Sequence, residues 1–501
     1  MRRTATLGLA PVAPAFSMLS AARAFLDSLT LMPSAPSSLI CLILAVTTLF
    51  GAAIDAQEAV GQRRYILATG RRLPYLYVIS LDAALDAAND RTSKAIVGRS
   101  RVATEALDGR LLGDPANLVV SEDSRTVYVV NHHGAIDNAA FRQHGGRGQI
   151  AVLDVDDLLA PKNDGTANAL RRHMDSGGFG ALGIVLLPEM LVIANAENHL
   201  TEDGGNRITF VDRRTGSLRG TVELALRSPG FPCPDYPVPY VPPYGPPRNL
   251  AVRAPGQGFG CFPNPNGLAL GRATDGSAYV FSANGGTNDV SVIDLGRALR
   301  GDTRAEIGRI PTQVGPWGIT ATPNRRHIIV ANGGSQKDGS AGNSIAVIDV
   351  DRASRLRQGF GAQGAGAGRA EVARVLVGTD DPSEPTHPLI PSVTPDGREV
   401  VVPNVRANNV SIVNIERALT GNPDAEVARI PLVRPDGQPA RPRGSAITSD
   451  GRYAVISGGP SSPPFSQELG HLYVIDLRSR SVVATVTGLG HEPYALAVVE
   501  R

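Results

Sequence analysis

The residues best equipped for chemistry in this 501-residue chain are its nine histidines. Seven of them, His132, His133, His144, His199, His387, His471 and His491, fall in or beside irregular stretches between β-patterned segments. Neutral imidazole is the commonest transition-metal ligand, and several converging histidines would suit copper, zinc or haem iron. His387, His491 and His199 are the candidate metal ligands, and a transition metal is the one cofactor the residue types suggest. The spacing does not support it: there is no His-x-x-x-His on a helix, no Cys-x-x-Cys and no Cys-x-x-Cys-His. Gly-x-Ser-x-Gly and the Walker pattern are absent as well. Glu197, Glu202 and Asp203 could offer oxygens to calcium but lack EF-hand spacing. Trp317, the only tryptophan, stands beside Pro316 and could be a ligand platform or plain packing. His387, His491, His132, His133 and Trp317 are the candidate ligand-binding residues; no catalytic residue can be named.

The elements that must position these groups are strands. Tyr279 to Leu295 reads as a short β run, a turn at Asn284-Gly285-Gly286, and a second run ending at Asp294. The second run recurs at Leu76–Ser80, Ile150–Asp154, Ile208–Asp212, Ile345–Asp349, Val410–Asn414 and Leu472–Asp476. The closing Asp, Asn or Ser can accept a backbone N–H two residues on or cap a short helix, so these acids are expected to be structural. Repeats of this kind predict an all-β propeller with four-stranded blades. The C-terminal Tyr494–Val499 looks like an inner strand with nothing after it. Tyr65–Ala68 and Leu76–Ile79 look like second and third strands with nothing before them. Placing the last strand in the first blade closes the ring and gives seven blades.

Strands in a blade alternate in direction, so loops after strands two and four leave on one face. These are the long ones: 131–149, 195–206, 228–266, 332–343 and 458–470. The seven histidines map to that face, with His387 and His491 near the mouth of the central channel and His132 and His133 further out. Long loops on one face of a rigid ring are where binding is expected.

Residues 1–56 read as a leader and 57–501 as the propeller. Leu39–Phe50 is an apolar run of secretory length, with small residues after it that suit cleavage near Ala53 or Ala56. The expected location is therefore periplasmic, secreted or cell-surface, with no stable membrane insertion after cleavage. The formal net charge is +2, and the leader carries three Arg and two Asp, so the rest is near neutral. That gives no electrostatic reason to expect nucleic acid as a partner. Cys233 and Cys261 fall in one Pro-rich insertion, and an oxidising compartment would allow them to form a disulfide.

On these repeats the chain resembles the YVTN-family β-propellers. The nearest copies are Tyr128-Val129-Val130-Asn131, then Ile193-Ala194-Asn195, Ser282-Ala283-Asn284, Val330-Ala331-Asn332 and Val402-Pro403-Asn404, with prolines at 115, 265, 316, 388, 442 and 493 leading the inner strands. The Thr of the family name is absent. The resemblance implies an exported propeller in the superfamily that also holds heavy subunits of quinoprotein amine dehydrogenases and lactonase-like enzymes. The first functional expectation is a non-catalytic scaffold binding an exported protein or a small ligand on the loop-rich face. The alternative is a lactonase-like enzyme, or a quinoprotein- or metal-associated redox accessory, with its site at the channel mouth.

Overall fold

The computed structural model describes residues 63–501 apart from 72, 103–105, 108–109, 112–113, 133–146, 163–164, 200–202, 205, 226–237, 241–247, 251–262, 335–341, 357–369 and 461–466. His133, His144, Cys233, Cys261 and the leader therefore lie outside the described residues, as does the side chain of His199. No helix among the described residues is long and apolar enough to cross a membrane.

The fold is all-β and propeller-like, built from four-stranded antiparallel sheets with short helices between strands. Four sheets stand alone and run in sequence order. One is Pro265–Arg272, Ala278–Asn284, Asp289–Asp294 and Glu306–Pro311. The next is Pro316–Ala321, His327–Asn332, Ser344–Asp349 and Glu371–Leu376. The third is Ser392–Val393, Glu399–Asn404, Asn409–Asn414 and Glu426–Pro431. The fourth is Pro442–Ile447, Tyr453–Gly458, Gly470–Asp476 and Ser481–Leu489. In a further sheet the last strand, Glu492–Glu500, pairs antiparallel with Arg64–Arg71, which continues to Tyr75–Ser80 and Ile96–Arg101.

The remaining sheet differs from the sequence expectation. Leu170–Leu186 is one 17-residue strand, where separate four-stranded blades were expected. Its first part pairs with Arg147–Asp154 and its second with Met190–His199, so two four-stranded units merge. Gly177 and Gly180 take left-handed φ there and let the strand pass between them. The stretch 195–206, expected as loop, also carries strand as far as His199, paired with Asp203–Gly204.

The expected role of the strand-ending acids holds. Ser80, Asp154, Asp294, Asp349 and Asn414 each accept a backbone N–H from the helix that follows. The Asn ending the second strands has an equally local task. Asn284 donates to Asp289 and Ser291 at 2.7 Å each. Asn404 donates to Asn409 at 2.8 Å and Ser411 at 2.7 Å. Asn332 donates to Ser344 at 3.0 Å, and Asn195 to Thr209 at 3.1 Å. Each asparagine is buried and ties the second strand to the third at the turn between them. The similar outer strands EIGRI, EVARV and EVARI pair Glu with the Arg three residues on (Glu306–Arg309 2.8 Å, Glu371–Arg374 2.7 Å, Glu426–Arg429 2.6 Å). Two of these glutamates also accept an N–H from the end of the preceding sheet, Ala225 on Glu306 and Gly378 on Glu426.

The core lies between sheets. Phe281 and Val292 of one sheet meet Ile328, Val330 and Ile348 of the next. The leading strands of neighbouring sheets pack side by side. The approach is close enough to require glycine: a Cβ on Gly318 would lie 1.9 Å from the Leu389 carbonyl oxygen, and one on Gly444 1.9 Å from that of Tyr494.

Candidate functional site

Six leading segments start at a proline, and the residue before each is chemically different: Asp114, Asn264, Gly315, His387, Arg441 and Glu492. A residue preceding proline is pushed out of the right-handed helical region. Asn264, Gly315, His387 and Arg441 settle in the left-handed region, with φ of 50°, 64°, 56° and 48°. For Gly this is free and for Asn cheap. For His and Arg it costs roughly 1–2 kcal/mol, a strain typical of functional positions. The residues just after the prolines are Ala116, Asn266, Trp317, Leu389, Arg443 and Tyr494.

These flanking positions converge on a buried charged cluster. Arg71, at the end of its strand, pairs with Asp114 at 3.2 Å, and Arg443 pairs with Glu492 at 3.0 Å. Exposure of all four side chains is 14% or less. Burial works against the charge on Arg71, but Asp114 and then Glu492 outweigh it and its pKa is raised. Glu492 thus acts on both arginines. For Arg443 burial wins, Glu492 offsets it only in part, Arg71 adds repulsion, and the pKa is lowered. Arg443 also donates to the carbonyls of Arg441 at 2.9 Å and Gly459 at 2.7 Å.

Trp317 is tied to this cluster through Tyr494. Its indole N–H donates to the Tyr494 hydroxyl, joining leading strands 177 residues apart. The guanidinium of Arg71 lies 4.8 Å from the centre of the Tyr494 ring. Trp317 also packs against Ala116, Leu182 and Ala196. Burial pushes the Tyr494 phenol up to about 12.

His387 is 5% exposed and its Nδ1 is hydrogen-bonded to the Gly333 carbonyl. That fixes the tautomer: Nδ1 carries the proton and Nε2 is the acceptor nitrogen. Burial, with Arg443 and Arg406 nearby, lowers its pKa to about 4, so the ring is neutral at pH 7. His491 is fully buried next to Glu492. His132 is buried too, and its backbone N–H donates to the Asp114 carbonyl at 2.9 Å. His471 lies elsewhere, stacked on Tyr473 with 6.3 Å between ring centres. Its pKa also falls to about 4, through burial and then Arg434.

The structure thus gathers His387, His491, Trp317 and the backbone of His132 around one polar cluster. Sequence reasoning missed Arg71, Asp114, Arg443, Glu492 and Tyr494. The signal for four of these was present, because they flank the same prolines that mark the inner strands. Among the described residues no group of three or more His, Cys, Asp or Glu is arranged to hold a metal. The cluster can orient a polar ligand, stabilise a developing oxyanion with guanidinium groups, and take up a proton on a carboxylate.

No protein-family model matches the chain, and no curated protein matches it by sequence. Solved structures do resemble it. The periplasmic gluconolactonase PpgL of Pseudomonas aeruginosa superposes with a TM-score of 0.50 at 16% identity, covering 88% of this chain and 99% of that one. A Bacteroides fragilis protein provisionally described as a 6-phosphogluconolactonase reaches 0.49 at 12% identity, over 87% and 98%. Apo AztD of Citrobacter koseri reaches 0.43 at 10%, over 88% and 99%. At 16% identity the likeness to the Pseudomonas aeruginosa structure speaks to fold alone.

Proposed function

We propose that the protein is an exported seven-bladed β-propeller of YVTN type, closed by its C-terminal strand, and that it is a lactonase-like hydrolase acting at the channel mouth. The observation that carries the functional part is the pair of buried ion pairs, Arg71–Asp114 and Arg443–Glu492, three of whose members, Asp114, Arg443 and Glu492, flank leading prolines. Buried ion pairs are poor investments for stability, since apolar replacements of similar size are often as stable or more so. The equally buried Arg309–Glu306 pair lies on an outer strand and binds the end of the preceding sheet, whereas these two pairs gather beside the leading prolines, and that placement favours a role in chemistry. The name of the Pseudomonas aeruginosa neighbour points to a lactone as the first substrate class to try.

In this reading a water molecule adds to the lactone carbonyl carbon and the ring C–O bond breaks. Glu492 takes the proton from water and returns it to the departing ring oxygen. Arg443 and Arg71 face the oxygen on which negative charge develops. The product is the open hydroxy acid. Proton release from sugar δ-lactones, measured over the buffer background with the wild type and Glu492→Gln, tests the proposal. No acceleration by the wild type would return the protein to the scaffold reading, which rests on the long loops alone.

A further inference from the structure

The connection 432–441 carries an insertion on a frame that the chain also uses elsewhere. Between Glu306–Pro311 and Pro316–Ala321, the N–H groups of Thr312 and Gly315 both donate to Asn288, one to its carbonyl at 2.9 Å and the other to its side-chain oxygen at 2.9 Å. Only Gln313 and Val314 lie between these feet. Between Glu426–Pro431 and Pro442–Ile447, Leu432 and Arg441 make the same two bonds to Asn408, at 2.8 Å and 3.0 Å. Here Val433 to Ala440 lie between the feet, and Val433 bridges to Pro439 as a small hairpin.

The two connections meet the next sheet differently. Gln313 is bonded to the start of the third strand: it donates to Asn343 at 3.0 Å and accepts from the Ser344 hydroxyl at 2.6 Å. Ser344 faces Asn332, the last residue of its second strand. Its counterpart is His471, which faces Gly458. The hairpin stands over this edge. Leu432 and Ala440 at its base pack with Tyr473, and a Cβ on Gly458 would lie 2.6 Å from the Ala440 carbonyl oxygen. Arg434 acts electrostatically on both His471 and Tyr473.

Yet the hairpin is not bonded down. His471 Nδ1, the Tyr473 hydroxyl and Arg434 Nε are all buried without a hydrogen-bond partner. Such groups lose their hydration and gain nothing in return, a loss that opening to water reverses. Among the described residues, the hydrogen bonds of 433–439 are internal. The Arg434 N–H donates to the Gln438 carbonyl at 3.3 Å, the Gly437 N–H to the Arg434 carbonyl at 2.9 Å, and the Arg434 guanidinium to Asp436 at 2.6 Å. The Arg434 side chain is 9% exposed, whereas the other six residues of the hairpin are exposed.

We infer that hairpin 433–439 is a lid, pinned at its feet to Asn408, that opens to bare the stacked His471–Tyr473 pair. The covered edge adjoins the mouth. Arg443 donates to the carbonyl of Arg441, one foot of the lid, at 2.9 Å, and to that of Gly459, next to Gly458, at 2.7 Å. The lid therefore governs access to that side of the cluster, whether or not a lactone is opened there.

Carbethoxylation of the folded protein by diethyl pyrocarbonate, mapped by mass spectrometry, reads the opening at His471. His491 is the internal reference, since it too is buried. Rates are normalised to those of the same histidines in the unfolded chain. Entry through global unfolding would label both at one rate, whereas a lid labels His471 at least about tenfold faster. Tyr473→Phe removes a buried hydroxyl without a partner, favours the closed form and should slow labelling of His471 about five- to tenfold. Arg434→Ala removes the hairpin's one buried side chain and should speed it by a similar factor. Opposite shifts at His471 with His491 unmoved support the lid, and general destabilisation would not produce them. Equal rates for the two histidines, a Tyr473→Phe variant labelled as fast as wild type, or an Arg434→Ala variant labelled no faster, would overturn the inference.

Discussion

Replacing Arg443 and Glu492 singly and together separates a pair kept for chemistry from one kept for folding. Their side chains are 4% and 9% exposed and meet at 3.0 Å. Arg443→Met leaves the Glu492 carboxylate buried and takes donors from the carbonyls of Arg441 and Gly459. Breaking a buried pair in this way costs about 3–5 kcal/mol. The lower end is expected because Arg71 also acts on Glu492. Glu492→Leu strands Arg443 by the same logic. The double variant removes both charges, and apolar substitutes of similar volume restore most of the loss, so a coupling of at least about 2 kcal/mol should remain. Urea unfolding of the four proteins, followed by circular dichroism, measures this. Lactone hydrolysis on the same samples should fall by about two orders of magnitude or more in the double variant, whatever its stability. Additive losses in the cycle would show that Arg443 and Glu492 do not act as a pair. A stable double variant with undiminished hydrolysis would refute the role given to the pair.

Asn404→Ala should destabilise the protein by about 2–4 kcal/mol, because two buried partners, Asn409 and Ser411, lose a donor; a melting temperature within about one degree of wild type would contradict its role in tying the second strand to the third. The neutral, buried His387 has a folded pKa of about 4 against an ordinary 6.5. Protonation therefore favours the unfolded chain, and stability present above pH 6.5 should be lost as pH falls toward 4, by roughly 3 kcal/mol from this group. His387→Gln should flatten that part of the stability–pH curve, and an unchanged slope would place the titration elsewhere. Protein exported by its host should carry a Cys233–Cys261 bridge worth about 3–4 kcal/mol; intact mass with and without reductant checks it, and two free thiols would count against an oxidising destination.

Much of the fold was legible because its signals are local and repeated. The period-two strand pattern, the closing Asp and the turn asparagine each act within a few residues, as Asn284 with Asp289 and Ser291 shows. The merged strand Leu170–Leu186 was not legible, because DSGGFGALG carries turn residues that here serve an extended crossing. The site was harder to read. Histidine content drew attention to His387 and His491, whereas the groups with the greatest charge are Arg71, Asp114, Arg443 and Glu492. Arginine and carboxylate are the ordinary composition of a surface, and nothing in a single repeat marks one as buried. Comparison of the repeats does so: lining up the six leading prolines exposes Asp114, His387, Arg441 and Glu492 as a position whose residue type changes from repeat to repeat. The link from Trp317 to Tyr494 spans 177 residues and has no local trace in sequence.

The most direct test of the channel-mouth site is the rate of proton release from glucono-δ-lactone with the wild type and with Glu492→Gln, an isosteric change that removes one buried charge. Lactone opening well above the buffer rate, reduced about a hundredfold or more in the variant while the fold survives, is the expected result. A wild type no faster than buffer, or a variant as fast as wild type, would contradict it.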